Sequence, residues 1–383
     1  MTVLDAEQRA FVVRVRGLAV DHLLPIVQNG VAGRVNRPLL AAMGEYGLLR
    51  GLFGGSPEEP PKDAAAMQLC LLRETIAGVS AEAETALALQ GLGSYPILQS
   101  GQPPTVERWI PGVVSGSTVA AFALTEPQAG SDAAALELRA DRDGDGWRLS
   151  GEKIWISNAP EADVYTVFAR TTQGARARGV TAFAVAGDAE GLTGEHLEML
   201  SPHPIGRLTF DAVRVEPGDV LGEVDAGFRV AMRTLDLFRP SVGAFAVGMA
   251  QSALDATLEH VSTRRAYGAT LADQQAVGHK LADLATHLEA ARLLVYRAAR
   301  AYDGGAPRGE VTMSAAMAKL FATEAAQTIV DQCVQLHGAR ALQHGHLLEH
   351  LYRDVRAPRI YEGASEVQRT IIARELFKER NSR

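Results

Sequence analysis

The 383-residue sequence predicts an α+β protein: an N-terminal helical domain, a middle β domain and a C-terminal helical bundle. Three observations carry that prediction. Up to about Gly116 apolar residues keep helical spacing; between Thr118 and about Leu221 they alternate; after Gly227 the helical spacing returns and stays. Helices, then strands, then helices is not the strand-helix alternation of a doubly wound sheet. The expected boundaries are 1–117, 118–222 and 223–383.

In the first region, helical segments from Leu4 onward are punctuated at Pro25, at Gly30 to Pro38 and in the loop "GGSPEEPPKD" from Gly54 to Asp63. The middle region opens on a hairpin. Leu136, Leu138 and Ala140 alternate with polar neighbours, "DRDGDG" supplies the turn, and Trp147 and Leu149 alternate on the return. Runs rich in β-branched and aromatic residues at Val164 to Ala169, Val180 to Val185 and Leu208 to Val215 read as further strands. In the last region Val277, Leu281, Leu284, Leu288, Ala291 and Leu294 mark one apolar face of a long helix ending near "YDGGAP". Another helix is expected from about Val311, and alanine-rich faces suit close helix packing or a subunit interface.

Composition excludes several classes of function. With 47% hydrophobic and 22% charged residues the chain falls in the globular class, and 38 basic against 45 acidic residues leave no basic footprint for nucleic acid. Cys70 and Cys333 cannot build a disulfide framework or a zinc site and are expected to be buried, so no metal is expected. "MTVLDAEQRAF" lacks the basic start and apolar run of a secretory leader, and no run suggests a membrane span; a cytoplasmic address is expected.

Three stretches carry chemistry. "AFALTEPQAGSD", Ala121 to Asp132, ends a strand and exposes Gly130 and Ser131, either as an ordinary turn or as backbone N–H groups and hydroxyls facing a ligand. In "GEKIWISNAP", Trp155 and Ser157 lie two apart on a strand, so an aromatic plate and a hydroxyl share a face. That pair could flank a planar heterocycle, or be a core tryptophan beside a solvent-facing serine. In "IYEGASEVQ", Glu362 precedes the last helix, where glutamate is a poorer cap than serine or aspartate.

In these stretches the sequence resembles the acyl-CoA dehydrogenases, a flavin-dependent family. Thr125 to Asp132 resembles its T-E-P-x-x-G-S-D run, Trp155 to Asn158 its W-I-[ST]-N, "RRAYGATLADQQ" its R-x-x-F-G-x-x-L-x-x-x-Q, and Tyr352 to Arg374 its C-terminal signature. The resemblance implies a middle β-barrel or sandwich, a C-terminal four-helix bundle and an FAD cofactor. It places Phe122, Leu124, Thr125, Gly130 and Ser131 near the flavin ring and pyrophosphate, and Trp155 and Ser157 over the ring and its N5 edge. Arg264 and Gln275 would contact the adenosine pyrophosphate of a neighbouring subunit's FAD, beside the loop from Gln335 to Gly345, in which Gln335 and Ala339 lie against the adenosine half. That sharing implies a homotetramer or homodimer.

Glu362 matches the catalytic base, which removes the α-proton of an acyl thioester while the β-hydrogen leaves as hydride to flavin N5. Ser131, Arg239, Tyr361 and Gly363 match positions about the substrate, acyl-CoA, and the expected electron acceptor is an electron-transfer flavoprotein. Some relatives take their base from the position matching Phe238, which cannot accept a proton, so Glu362 is the only candidate at either position. The chain departs from the usual patterns at Ala364, where the family carries threonine, in "QLHGARALQHG" from Gln335 to Gly345, and in "LSPHPIGRLTFD" from Leu200 to Asp211. The alternatives are a flavoenzyme of this fold acting on a carrier-protein-bound acyl group or as an oxidase, and a non-catalytic paralogue that binds flavin or acyl-CoA.

Overall fold

A computed structural model describes residues 4–55 and 59–382, so part of the expected Gly54 to Asp63 loop lies outside the described residues. The chain packs as two units that do not follow chain order. One joins the segment up to Ala19 with Ala65–Glu84 and everything from Asp236; the other joins Val20–Ala64 with Thr85–Leu235.

The first unit is helical. It opens with α1 (Ala6–Leu18), begun by a capping box in which the Asp5 carboxylate accepts from Gln8 N–H at 2.8 Å and the Gln8 side chain accepts from Asp5 N–H. Within it, α4 (Ala66–Ala77) has no local side-chain cap. The Asp303 carboxylate caps it instead, accepting from the Ala66 and Met67 N–H groups at 2.6 and 3.0 Å. The remaining members are the part of α7 (Gly227–Thr263) from Asp236 on, the short hairpin β9 (Arg265–Ala266) and β10 (Ala269–Thr270), α8 (Gln275–Asp303), α9 (Arg308–His337), α10 (Leu347–Asp354) and α11 (Ser365–Ser382).

The buried face of α8 carries Leu284, Leu288, Ala291 and Val295. Its expected members Val277, Leu281 and Leu294 are only half-buried. On α9, Ala315, Ala316, Ala318, Ala322 and Ala326 are buried against α8 and α11. Gly243 lets α7 close onto the same pair: a Cβ there would lie 2.8 Å from Val295 and 3.3 Å from Ala322. Thus α9 packs against both α8 and α11, and α7 meets α8 and α9 at Gly243.

The second unit holds α2 (Leu24–Gln28), α3 (Arg37–Glu45), most of α5 (Ala81–Ser100), α6 (Pro103–Ser115) and the sheet. Pro25, where a helix break is expected, sits in the first turn of α2, just after a π-helical segment at Ala19–Leu23 interrupts the α-helical pattern. Gly116 ends α6 with φ of 78°, and a Cβ there would meet the Leu40 carbonyl at 2.1 Å, so the end of α6 rests directly on α3.

The strands are β1 (Ala120–Ala123), β2 (Arg139–Asp143), β3 (Gly146–Ser157), β4 (Val164–Arg170), β5 (Val180–Ala186), β6 (Leu192–His196), β7 (Ile205–Val215) and β8 (Val220–Leu221). They form one eight-stranded sheet in the order β6-β7-β3-β2-β4-β5-β8, with β1 lying parallel against β4. Its two halves meet at a single pair, Arg139 with Arg170. The expected hairpin is β2 and β3, turning at Gly144 with φ of 63°. Cys70 and Cys333 are both buried and free.

Candidate active site

Glu362 lies in the loop between a 3₁₀ turn at Ala357–Arg359 and α11. Its backbone has φ of 51°, and Gly363 follows at 96°. A non-glycine residue held at positive φ stores strain and needs surrounding structure to fix it. Four bonds supply that fixing. Arg239 Nε and Gln368 Nε2 donate to the Glu362 carbonyl at 3.4 and 3.3 Å; Gln368 Nε2 and Lys319 Nζ donate to the Gly363 carbonyl at 2.8 and 2.7 Å. At Gly363 the φ favours glycine, and a Cβ, 2.5 Å from Gln368 Nε2, would also push aside the amide that holds the loop.

The Glu362 carboxylate is not a helix cap. It makes no hydrogen bond among the described residues, its Oε2 is buried without a partner, and α11 opens instead from the Ala364 carbonyl, which accepts from Gln368 N–H. Burial raises its pKa, while the positive charges of Arg73, Lys319 and Arg239 pull it down. Each of those cations has its hydrogen bonds elsewhere. Arg73 pairs with Glu84 through Nε and donates from Nη1 to Ser241 Oγ at 2.6 Å. Arg239, almost fully buried, pairs with Asp236 at 3.3 Å. The carboxylate is therefore stabilised at a distance with its lone pairs left open. Tyr361 stands beside it with 37% of its surface exposed. Phe238 is fully buried.

In the second unit, β1 and the chain leaving it lie alongside the end of β3. Asn158 Nδ2 donates to the Ala120 carbonyl at 2.9 Å, Lys153 Nζ to the Leu124 carbonyl at 2.9 Å, and Ile154 N–H to the Thr125 carbonyl at 3.0 Å. Phe122, Leu124 and Thr125 are thereby set next to Trp155 and Ser157. Glu126 is structural: its buried carboxylate pairs with the fully buried Lys153 at 2.7 Å and accepts from Glu137 and Leu138 N–H. Burial lowers the Lys153 pKa to about 8 against the pull of Glu126.

Register shifts between Leu149 and Gly151 and between Lys153 and Ile156 change which side of β3 is buried. Trp147 and Leu149 point inward near the start; Ile154 and Ile156 do so near the end. This leaves Trp155 and Ser157 on one side, as expected, with Trp155 at φ of 59° and 52% exposed. Ser157 Oγ lies 2.8 Å from His203 Nε2, and burial pushes that imidazole down to about 4, so it is neutral at pH 7. Phe122 packs on Phe168 with ring centroids 4.9 Å apart, and Gly130 and Ser131 are exposed after a turn in which Glu126 and Ala129 exchange backbone bonds.

The third set, in the first unit, is exposed: Arg264 ends α7, Gln275 opens α8, and Gln335 and Ala339 flank the end of α9. His337 stacks on His260 with centroids 4.1 Å apart and meets His346 edge-on at 5.5 Å. Among the described residues no group of three histidine, cysteine or acidic side chains could hold a metal ion.

Sequence reasoning missed Arg73, Glu84, Lys319, Gln368 and His203. The available signal was charge set inside an apolar run, Arg73 beside Glu74 in "LCLLRETIAG" and Lys319 alone in "AAMAKLFA".

The second unit carries an exposed tryptophan at strained φ beside a hydroxyl and an open glycine-serine turn, features that suit a flat cofactor, and the first carries a carboxylate without a hydrogen bond among the described residues, a feature that suits a proton-moving enzyme. Comparison with known proteins agrees with that class. Residues 5–117, 121–213 and 225–377 match the N-terminal, middle and C-terminal domains of acyl-CoA dehydrogenase. Cyclohexane-1-carbonyl-CoA dehydrogenase of Geobacter metallireducens is 36% identical over 97% of this chain and 98% of its own. Butyryl-CoA dehydrogenase from Megasphaera elsdenii superposes with a TM-score of 0.88 at 31% identity, covering 98% and 99% of the two chains. A glutaryl-CoA dehydrogenase from Mycobacterium smegmatis in complex with FADH2 does so at 0.89 and 25%, covering 98% and 95%.

The chain belongs to the acyl-CoA dehydrogenase family. It is a flavoprotein oxidoreductase whose cofactor is FAD. Among the described residues no helix is long and apolar enough to cross a membrane.

Proposed function

We propose that this chain catalyses α,β-dehydrogenation of an acyl-CoA thioester to the trans-2-enoyl-CoA, with Glu362 taking the α-proton. The observation that carries the reading is the Glu362 carboxylate itself, buried at Oε2, raised in pKa and free of hydrogen bonds. A base of that kind keeps an open lone pair and a proton affinity above that of a surface glutamate. Its backbone N–H also has no acceptor among the described residues, which leaves a donor for the thioester oxygen as negative charge develops there. Arg239, Lys319 and Gln368 hold the loop by its carbonyls, so the role of Arg239 here is to position the base.

Thr125, Trp155 and Ser157 fit FAD: Trp155 offers an exposed ring face, Ser157 a hydroxyl fixed by His203, and Gly130 an approach free of side chain. FAD bound there supplies the acceptor for the β-hydride. We further assign Arg264, Gln275, Gln335 and Ala339 to the cofactor of a neighbouring copy in a homodimer or homotetramer, an electron-transfer flavoprotein as acceptor and the cytoplasm as the site of action.

The test is Glu362→Gln, which keeps shape and removes the base. The variant is expected to purify yellow and folded, with anaerobic flavin bleaching by acyl-CoA slowed by about 10²-fold to 10⁴-fold. Bleaching at the parental rate overturns the assignment.

A further inference from the structure

Arg73 on α4 and Glu84 on α5 form an ion pair in the first unit, at 2% and 0% of their surface exposed. A buried ion pair contributes little or nothing to stability compared with well-packed apolar residues of the same volume, so a functional reason for keeping it is worth seeking. This pair is also incomplete. Arg73 uses Nε on Glu84 and Nη1 on Ser241, while Nη2 makes no hydrogen bond among the described residues; Glu84 Oε2 is buried with no partner. One guanidinium nitrogen and one carboxylate oxygen are thus left without a hydrogen bond among the described residues on two contacting side chains.

The pair adjoins the proposed base. Ser241, which receives the Arg73 bond, is two residues along α7 from Arg239, which donates to the Glu362 carbonyl. Arg73 is the foremost cation opposing the burial of Glu362. The Glu84 carboxyl, pushed up to about 7 chiefly by burial and held back by Arg73, also feels the Glu362 charge.

We propose that Arg73 and Glu84 form a polar subsite for a hydroxyl group on the acyl chain of the thioester. This rests on the reading of Glu362 as the base. A hydroxyl accepts from Arg73 Nη2 and donates to Glu84 Oε2 at the same time, meeting both unused groups. An alkyl chain meets neither, and a carboxylate brings a like charge against Glu84. A site built to hydrogen-bond a substrate hydroxyl discriminates strongly against the analogue lacking it, because its own polar groups are left unpaired.

The experiment uses the full FAD-loaded chain and measures kcat/KM and anaerobic bleaching with butanoyl-, 3-hydroxybutanoyl-, 4-hydroxybutanoyl- and succinyl-CoA. At least one hydroxylated thioester is expected to exceed butanoyl-CoA by about tenfold or more, the size of a hydrogen bond to a charged group. The double substitution Arg73→Met with Glu84→Leu replaces the pair by apolar residues, leaves no lone buried charge, and is expected to bring that ratio to one or below. A parental preference for butanoyl- or succinyl-CoA, or an unchanged ratio in the double variant, overturns the subsite; the pair is then structural, completed by water. These outcomes leave Glu362 as base intact, since butanoyl-CoA still bleaches the flavin. Bleaching by no thioester removes both the base assignment and the subsite.

Discussion

Glu362 is subject to two opposed influences, burial that favours its neutral form and three cations that favour its charged form. The free-enzyme profile of kcat/KM against pH is expected to rise with pH, because the base must be ionised, along a limb displaced above the ordinary glutamate value. Lys319→Met removes one of the cations. With less positive charge nearby the carboxylate is harder to ionise, so the limb moves to higher pH. A limb that stays in place, in a variant whose melting confirms a native fold, shows that Lys319 acts only as a donor to Gly363. At this scale Glu362, Thr125 and Trp155 were legible because each sits inside a short run whose spacing has meaning. Arg73, Lys319 and Gln368 were not, because each is one polar residue on a helix and its role appears only where α4, α9 and α11 meet the loop.

Strand β3 shows what element-scale reading captures. Alternation and the "DRDGDG" turn gave the hairpin, and the two-residue spacing of Trp155 and Ser157 gave their shared side. The bulges in between left no signal beyond Gly151, with φ of 139°, and β6 was missed because most of its residues are exposed on an edge strand with no apolar alternation. Trp155→Gly relieves the positive φ but removes the aromatic face, so thermal stability should hold or rise slightly while FAD dissociates more readily, by about tenfold or more. Unchanged retention of FAD on dilution contradicts the assignment of Trp155 to the flavin. Lys153→Met tests the support behind the same strand. It leaves Glu126 buried and charged, and is expected to cost about 3 kcal/mol in denaturant unfolding. Adding Glu126→Gln removes the lone buried charge and should recover part of that loss, although its single amide oxygen can accept from only one of the Glu137 and Leu138 N–H groups, which bond different carboxylate oxygens. A single variant as stable as the parent shows that the pair is not what holds the β1 exit.

For the molecule as a whole, the sequence yields segments in order, but packing joins them out of order. Asp303 caps α4 across more than two hundred residues of chain, a contact that no local pattern announces. Assembly was legible only through resemblance, and one surface bears on it. Arg264, Gln275, Gln335 and Ala339 are exposed, and next to Arg264 the β9–β10 turn presents Tyr267 at 98% exposure and φ of 53°. An aromatic residue so bare, beside a guanidinium suited to a diphosphate, is a poor design for a free surface and a good one for a surface completed by a second copy. The chain is therefore expected to sediment as a dimer or tetramer in its FAD-loaded state. Arg264→Ala, which removes the forked donor without touching any core residue, should weaken FAD binding by about tenfold in equilibrium titration and leave the melting of the FAD-free protein unchanged. A parental chain that is monomeric with full FAD occupancy, or a variant that binds FAD as tightly as the parent, rules out the shared cofactor site.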